Sequence, residues 1–167
     1  MRHDDMLELW ADHQQAEFEA RDVERTLATM TDDPHILMVP IMVGGRGPDG
    51  VARFYRELFL PGIPDDLEVT DLSTTVGADR IVAERVMTGT HSLAMPWLLP
   101  GVDPTHRRFE VPHVVIVHVA DDGIASEHIY WDQATVLIQV GLLDEHAGLP
   151  IVGNDQSRHL REIAAPG

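Results

Sequence analysis

The chain has 167 residues: 12 basic ones, all Arg, against 28 acidic ones, with 10 His, no Cys and a formal charge of −16 at pH 7. So acidic a surface does not suit nucleic-acid phosphates. The lack of Lys removes Schiff-base and lysine phosphate-clamp chemistry, and the lack of Cys removes disulfides, thiolate nucleophiles and cysteine metal sites. Carboxylate and imidazole are what remain for chemistry, on a chain long enough to bury one core.

Met6, Leu7, Trp10, Ala16, Phe18, Val23, Leu27 and Met30 fall at helical spacing and predict two helices over 5–31, with Asp22 capping the second. Asp33-Pro34 stops the helix, and 35–43 reads as a buried strand ending at the glycine-rich turn 44–50. Val51, Phe54, Tyr55, Leu58 and Phe59 give a short amphipathic helix that ends before Pro61-Gly62. The apolar period then changes to two, predicting strands over 67–76, 81–92, 108–119 and 124–131, the last two joined at Asp121-Asp122-Gly123. A helix follows over 133–140, closed by Gly141, and the tail 144–167 carries a short helix over 155–163. Helices ahead of consecutive antiparallel strands predict an α+β domain over 1–143, with a pocket in the concave face of its sheet.

The charged segment 1–10 lacks the apolar run of a signal peptide, and the longest apolar run, 36–43, is well short of the ~20 residues that span a bilayer. A cytoplasmic protein with no membrane partner is expected.

Gly89-Thr90-His91, Pro104-Thr105 ahead of a strand, Asp122-Gly123-Ile124, Glu127-His128, and Trp131-Asp132 with Leu137, Gln139 and Gly141 resemble the SnoaL-like polyketide cyclase and ester cyclase group of the nuclear transport factor 2-like superfamily. The resemblance spans about 7–143 and implies a cone-shaped α+β barrel with helices packed into a curved antiparallel sheet. It implies a cofactor-independent acid/base enzyme that acts on a small apolar carbonyl compound by cyclase, isomerase or dehydratase chemistry. It also implies a homodimer formed through the outer sheet face, a general acid/base Asp at Asp132 and a supporting His at His118. Because one fold hosts many functions, a non-catalytic module that binds a hydrophobic ligand or dimerises is the alternative. An epoxide or lactone hydrolase ranks below both, since the strand bearing His118 has neither Asp nor Arg among its central residues.

Strand alternation puts Ser126, His128, Tyr130 and Asp132 on one face of the last strand and Glu127, Ile129 and Trp131 on the other. A three-residue loop with Gly123 left-handed pairs His118 with Ser126 and so places it on the face of Asp132. A two-residue Asp122-Gly123 turn pairs His118 with Glu127 and reverses that. Asp132 and His118 are the catalytic candidates. Candidate substrate contacts are His128, His91 and Tyr130 on strands, Trp97 in the apolar loop 93–102, and Trp10 and Tyr55 on the helices that also carry His13. Asp132 is equally suited to cap the helix beginning at Gln133. The loop 93–102 would serve as a lid or a dimer contact, and the apolar face of Phe109, Val111, Val115 and Val117 would need a second copy as cover. No metal is expected: the five His between 91 and 128 lack chelating spacings, with His118, His128 and Asp132 the best set on one face.

Overall fold

The computed structural model describes residues 2–153 and 155–164. Helix α1 (His3–Gln14) carries Asp4 and Asp5 in its first turn, where the helix dipole favours acids, and continues as a π-helical stretch, Gln15–Ala20. Arg21, left-handed at φ 50°, ends it, and Asp22 caps α2 (Val23–Ala28) by accepting the Arg25 amide. Strand β1 (Met30–Met38) pairs with β2 (Val43–Arg46), after which α3 (Gly47–Arg53) runs into a second π-helical stretch, Phe54–Phe59. Then come β3 (Glu68–Val76), β4 (Arg80–Thr90), β5 (Arg108–Ala120), β6 (Gly123–Trp131), α4 (Gln133–Gln139) and α5 (Asp155–Ala164). The sheet order is β2-β1-β6-β5-β4-β3, with β1 and β6 parallel and every other pair antiparallel.

Two local readings change. Pro34 lies inside β1 instead of stopping a helix before it. The β1 ladder with β6 is interrupted between Met30 and His35, so the missing proline N–H forfeits no sheet bond. The glycine-rich stretch contains β2 because its backbone is crowded: a Cβ on Gly44 would stand 2.0 Å from the Ile36 carbonyl oxygen, and one on Gly45 2.2 Å from that of Gly50.

The β5–β6 connection matches neither turn considered above. Ala120 pairs with Gly123 across the two residues Asp121-Asp122, and a bulge beyond Ile124 then brings His118 opposite Ser126. His118 therefore shares a face with Tyr130 and Asp132, but that face points outward. Along β5 the buried side chains are Phe109, Val111, His113, Val115, Val117 and Val119, while Glu110, Pro112, Val114, Ile116 and His118 are only half-buried. The face expected to need a second copy is thus the core itself, covered by Met6, Trp10, Val51, Phe54 and Tyr55 of the chain's own helices. The loop 93–102 is also core, with Met95, Trp97, Leu98 and Leu99 at most 3% exposed and Trp97 Nε1 donating to the Gly62 carbonyl at 2.7 Å. It is neither a free lid nor an exposed contact.

Helix α5 lies on the outward side of β5, where Ser157 Oγ donates to the Glu110 carbonyl at 3.0 Å and Arg161 Nε to Glu110 Oε1 at 3.1 Å. Asn154 and 165–167 of the expected tail lie outside the described residues. Among the described residues, no helix is long and apolar enough to cross a membrane.

Candidate active site

The expected pair does not meet. Asp132 follows Trp131, which opposes His113, whereas His118 opposes Ser126. The two side chains are six residues apart along the sheet, roughly 20 Å at about 3.3 Å per residue. Asp132 caps α4: its Oδ1 accepts the Ala134 amide at 3.0 Å and the Thr135 amide at 3.3 Å, and Oδ2 accepts Thr135 Oγ1 at 2.7 Å. Burial works against its charge, but these hydrogen bonds, led by the Thr135 hydroxyl, hold the carboxyl below the usual range. Asp132→Ala should cost about 1 kcal/mol in urea unfolding, with Asp132→Asn losing less; an unchanged midpoint for the alanine variant would count against a capping role.

The other candidates divide between outside and inside. His128 packs on the outer face with its Nε2 2.9 Å from His35 Nε2, and Tyr130 is 41% exposed there. His91 is fully buried, its Nδ1 accepting the Thr105 amide at 3.2 Å, which ties two loop segments together. Trp97 and Trp10 line an interior cavity, and Tyr55 packs behind its wall.

On that wall stands a cluster that includes Glu127, which strand alternation puts on the face opposite Asp132. His13 and Glu17 lie one turn apart on α1 and its π-helical continuation, Tyr55 is in the second π-helical stretch, and Glu127 points inward from β6. Such π-helical turns recur at functional sites. His13 Nε2 is 2.8 Å from Glu127 Oε1 and 3.2 Å from Glu17 Oε1, and the Tyr55 hydroxyl donates to Glu17 Oε1 at 2.5 Å. Thr29 Oγ1 donates to the Thr26 carbonyl, so it accepts the Nδ1–H of His13 at 2.6 Å.

Burial alone would push the His13 pKa down, but the charges of Glu127 and then Glu17 overcome it and raise the imidazole to about 10. His13 is therefore an imidazolium. Burial holds the Glu127 carboxyl above its ordinary range, with His13 opposing, and burial together with Glu17 keeps Tyr55 protonated. His13, Glu17 and Glu127 also offer one nitrogen and two oxygens within 4.8 Å of one another, a donor set that a divalent ion can use. Here the His13 proton and Tyr55 occupy those atoms, so an ion would have to displace that proton.

The cavity itself is about 60 Å³, and its apolar lining includes Ile36, Met38, Phe59, Met87, Val115 and Ile129. Its polar lining beyond Glu17 and Glu127 is Arg85 and His113, direct cross-strand partners on β4 and β5. The Arg85 guanidinium stands 5.5 Å from the Trp10 ring centroid, and that ring stacks on His13 at 5.7 Å and 16°. Trp10 thus joins the two polar ends of the cavity.

A curved sheet closed by helices is the fold of nuclear transport factor 2-like and ketosteroid isomerase-like proteins. TsrD from Streptomyces laurentii is 20% identical over 86% of this chain and 99% of its own, with a TM-score of 0.67. A hypothetical protein with a ketosteroid isomerase-like fold from Catenulispora acidiphila is 17% identical over 81% and 94% (TM-score 0.61). A nuclear transport factor 2-like protein from Burkholderia xenovorans is 17% identical over 84% and 98% (TM-score 0.63). These likenesses show the fold. The chain belongs to the SnoaL-like polyketide cyclase family, whose model matches residues 8–140. No curated protein matches it.

Proposed function

We propose that the chain is an acid/base enzyme of cyclase or isomerase type that works without a cofactor on a small, largely apolar carbonyl compound held in the interior cavity. The buried His13, Glu17, Tyr55 and Glu127 network at the cavity wall carries this reading. Buried ion pairs gain little over apolar side chains of equal volume, so packing alone does not call for two acids and an imidazolium here.

The Glu127 carboxylate removes a proton from the carbon beside the carbonyl. The C–H electron pair becomes a C–C π bond, and the carbonyl π pair moves onto oxygen as an enolate. In isomerisation, Glu127 returns the proton at a different carbon. In an intramolecular aldol cyclisation, the enolate carbon attacks a second carbonyl of the same molecule and the new alkoxide takes that proton; dehydration would follow by loss of water. Burial brings the Glu127 pKa upward, toward the working range of a general base. His13, fixed by Thr29 and both acids, orients that carboxylate.

Deuterium uptake from D2O into 2-tetralone, cyclohexanone and acetophenone, followed by NMR, tests the reading. The protein should accelerate exchange of at least one ketone over buffer, and Glu127→Gln should lower that acceleration about 100- to 10,000-fold. Equal rates for the two proteins, or no acceleration across the panel, would overturn it.

A further inference from the structure

Among the described residues, the Arg85–His113 end of the cavity makes no hydrogen bond to the acid/base network, although the Arg85 charge favours ionised Glu127. Asp71, Arg85, His113 and Trp131 are cross-strand neighbours in one row over β3, β4, β5 and β6, with Arg85 and His113 buried. His113 is only 7% exposed, and its Nδ1 makes no well-aligned hydrogen bond, the Val111 carbonyl being the one backbone acceptor that acts on the ring. A buried polar atom left unpaired costs free energy that a ligand oxygen would recover. Arg85 is 5% exposed and gives its Nε–H to Asp71 Oδ1; its terminal Nη1 and Nη2 groups have no acceptor among the described residues. Guanidinium carries five donors, so four N–H groups remain beside the cavity. The Asp71 side chain is 57% exposed, which makes it an exchangeable partner rather than a buried counter-ion.

We propose that Arg85 and His113 form an oxyanion subsite, and that the substrate is a ring compound bearing a delocalised acidic oxygen, a carboxylate or an ionised enol. This rests on the cavity being the substrate site and names the class of molecule it takes. The guanidinium fork receives the oxyanion, and His113 Nδ1 satisfies a second oxygen lone pair or an enol proton. Trp10, under the Arg85 guanidinium and stacked on His13, supplies a flat wall that carries the ring toward Glu127.

Size fixes the entry route. A dry cavity of about 150 Å³ holds benzene, so the 60 Å³ here must grow to take a ring. An open cleft of about 360 Å³ adjoins it and shares Phe18, Leu67, Val69 and Arg85 with its lining. These side chains are the partition between the two spaces, and the ring enters between the π-helical end of α1 and edge strand β3.

Calorimetric titration with cyclohexanecarboxylate, its neutral analogue cyclohexanecarboxamide, and 1,3-cyclohexanedione, which is ionised as its enolate at neutral pH, tests this. The carboxylate or the enolate should bind at least tenfold more tightly than the amide, and whichever binds identifies the acid. His113→Phe, which fills the same space without a polar atom, and Arg85→Lys should each weaken that binding at least tenfold while leaving the amide unchanged, with circular dichroism reporting folding. Equal affinity for acid and amide would overturn the subsite while leaving the cavity as the substrate site. Failure of all three probes to bind would overturn both. Should Arg85→Lys fail to fold, His113→Phe decides alone.

Discussion

His13→Ala is expected to lose about 3–5 kcal/mol of folding stability at neutral pH, the cost of removing one partner from a buried charge network. The imidazole is 0% exposed, and its Nε2 is the cation for two carboxylates that are themselves about 5% exposed or less. Without it, Glu17 keeps the Tyr55 hydroxyl, while Glu127 keeps at most a distant tyrosine contact at 3.5 Å. A domain of this size has about 5–15 kcal/mol in all, so the loss would take a large share. The truncation also leaves a void beneath the Trp10 ring that stacked on the imidazole. Urea unfolding at pH 7 measures it, and a loss under about 1 kcal/mol would show that the carboxylates are neutral without His13. Replacing the three together, His13→Leu with Glu17→Gln and Glu127→Leu, should recover most of the deficit, because an apolar core of similar volume needs no cation. That contrast separates a cluster retained for chemistry from one the fold requires.

Most of the architecture could be read from spacing. The change of apolar period near residue 67 marks where helices give way to the sheet, and Asp22, Asp132 and Gly141 stand at helix ends as their chemistry predicts. Asp132 and His118 are separated from the buried cluster by one inference, the choice of which strand face points inward. On β5 both faces are apolar enough to mislead: Val114 and Ile116 lie outside, Val115 and Val117 inside. What breaks the tie is the partner strand. Glu127, Ile129 and Trp131 are an acid among large apolar residues, opposite Val117, Val115 and His113, and that is the buried row. An acid on an apolar face is the costlier anomaly and so the better pointer, whereas Asp132 and His118 on a polar face needed no special explanation. The His13 and Glu17 spacing, four residues on the face that carries Trp10, was visible as well. No local signal could show that α1 and α3 turn π-helical where they deliver Glu17 and Tyr55, since that register is set by packing against the sheet.

Stability should peak near pH 6.5 and fall on both sides, with a different histidine responsible for each limb. Burial first, and the nearby Arg85 charge second, push the His113 pKa from 6.5 down to about 4. Its contribution is therefore present above pH 6.5 and lost as pH falls toward 4, because the unfolded chain takes up a proton that the native one refuses. His13 runs the other way. Its native pKa of about 10 exceeds the unfolded 6.5, so its stabilisation is complete below pH 6.5 and drains away as pH rises toward 10. Each limb has a limiting slope of about 1.4 kcal/mol per pH unit for one proton. Glu127, raised by burial, opposes His113 in acid, while His35 and His91, both lowered chiefly by burial, reinforce it. With three histidines acting against Glu127, the acid limb should accordingly be the steeper. Urea midpoints from pH 5 to 9 give the profile, and two variants assign it: His113→Phe should make the acid limb shallower, and His13→Gln should remove the alkaline limb. A profile that rises steadily through pH 8 would mean that His13 is neutral in the native state, and with it would go the imidazolium that orients Glu127.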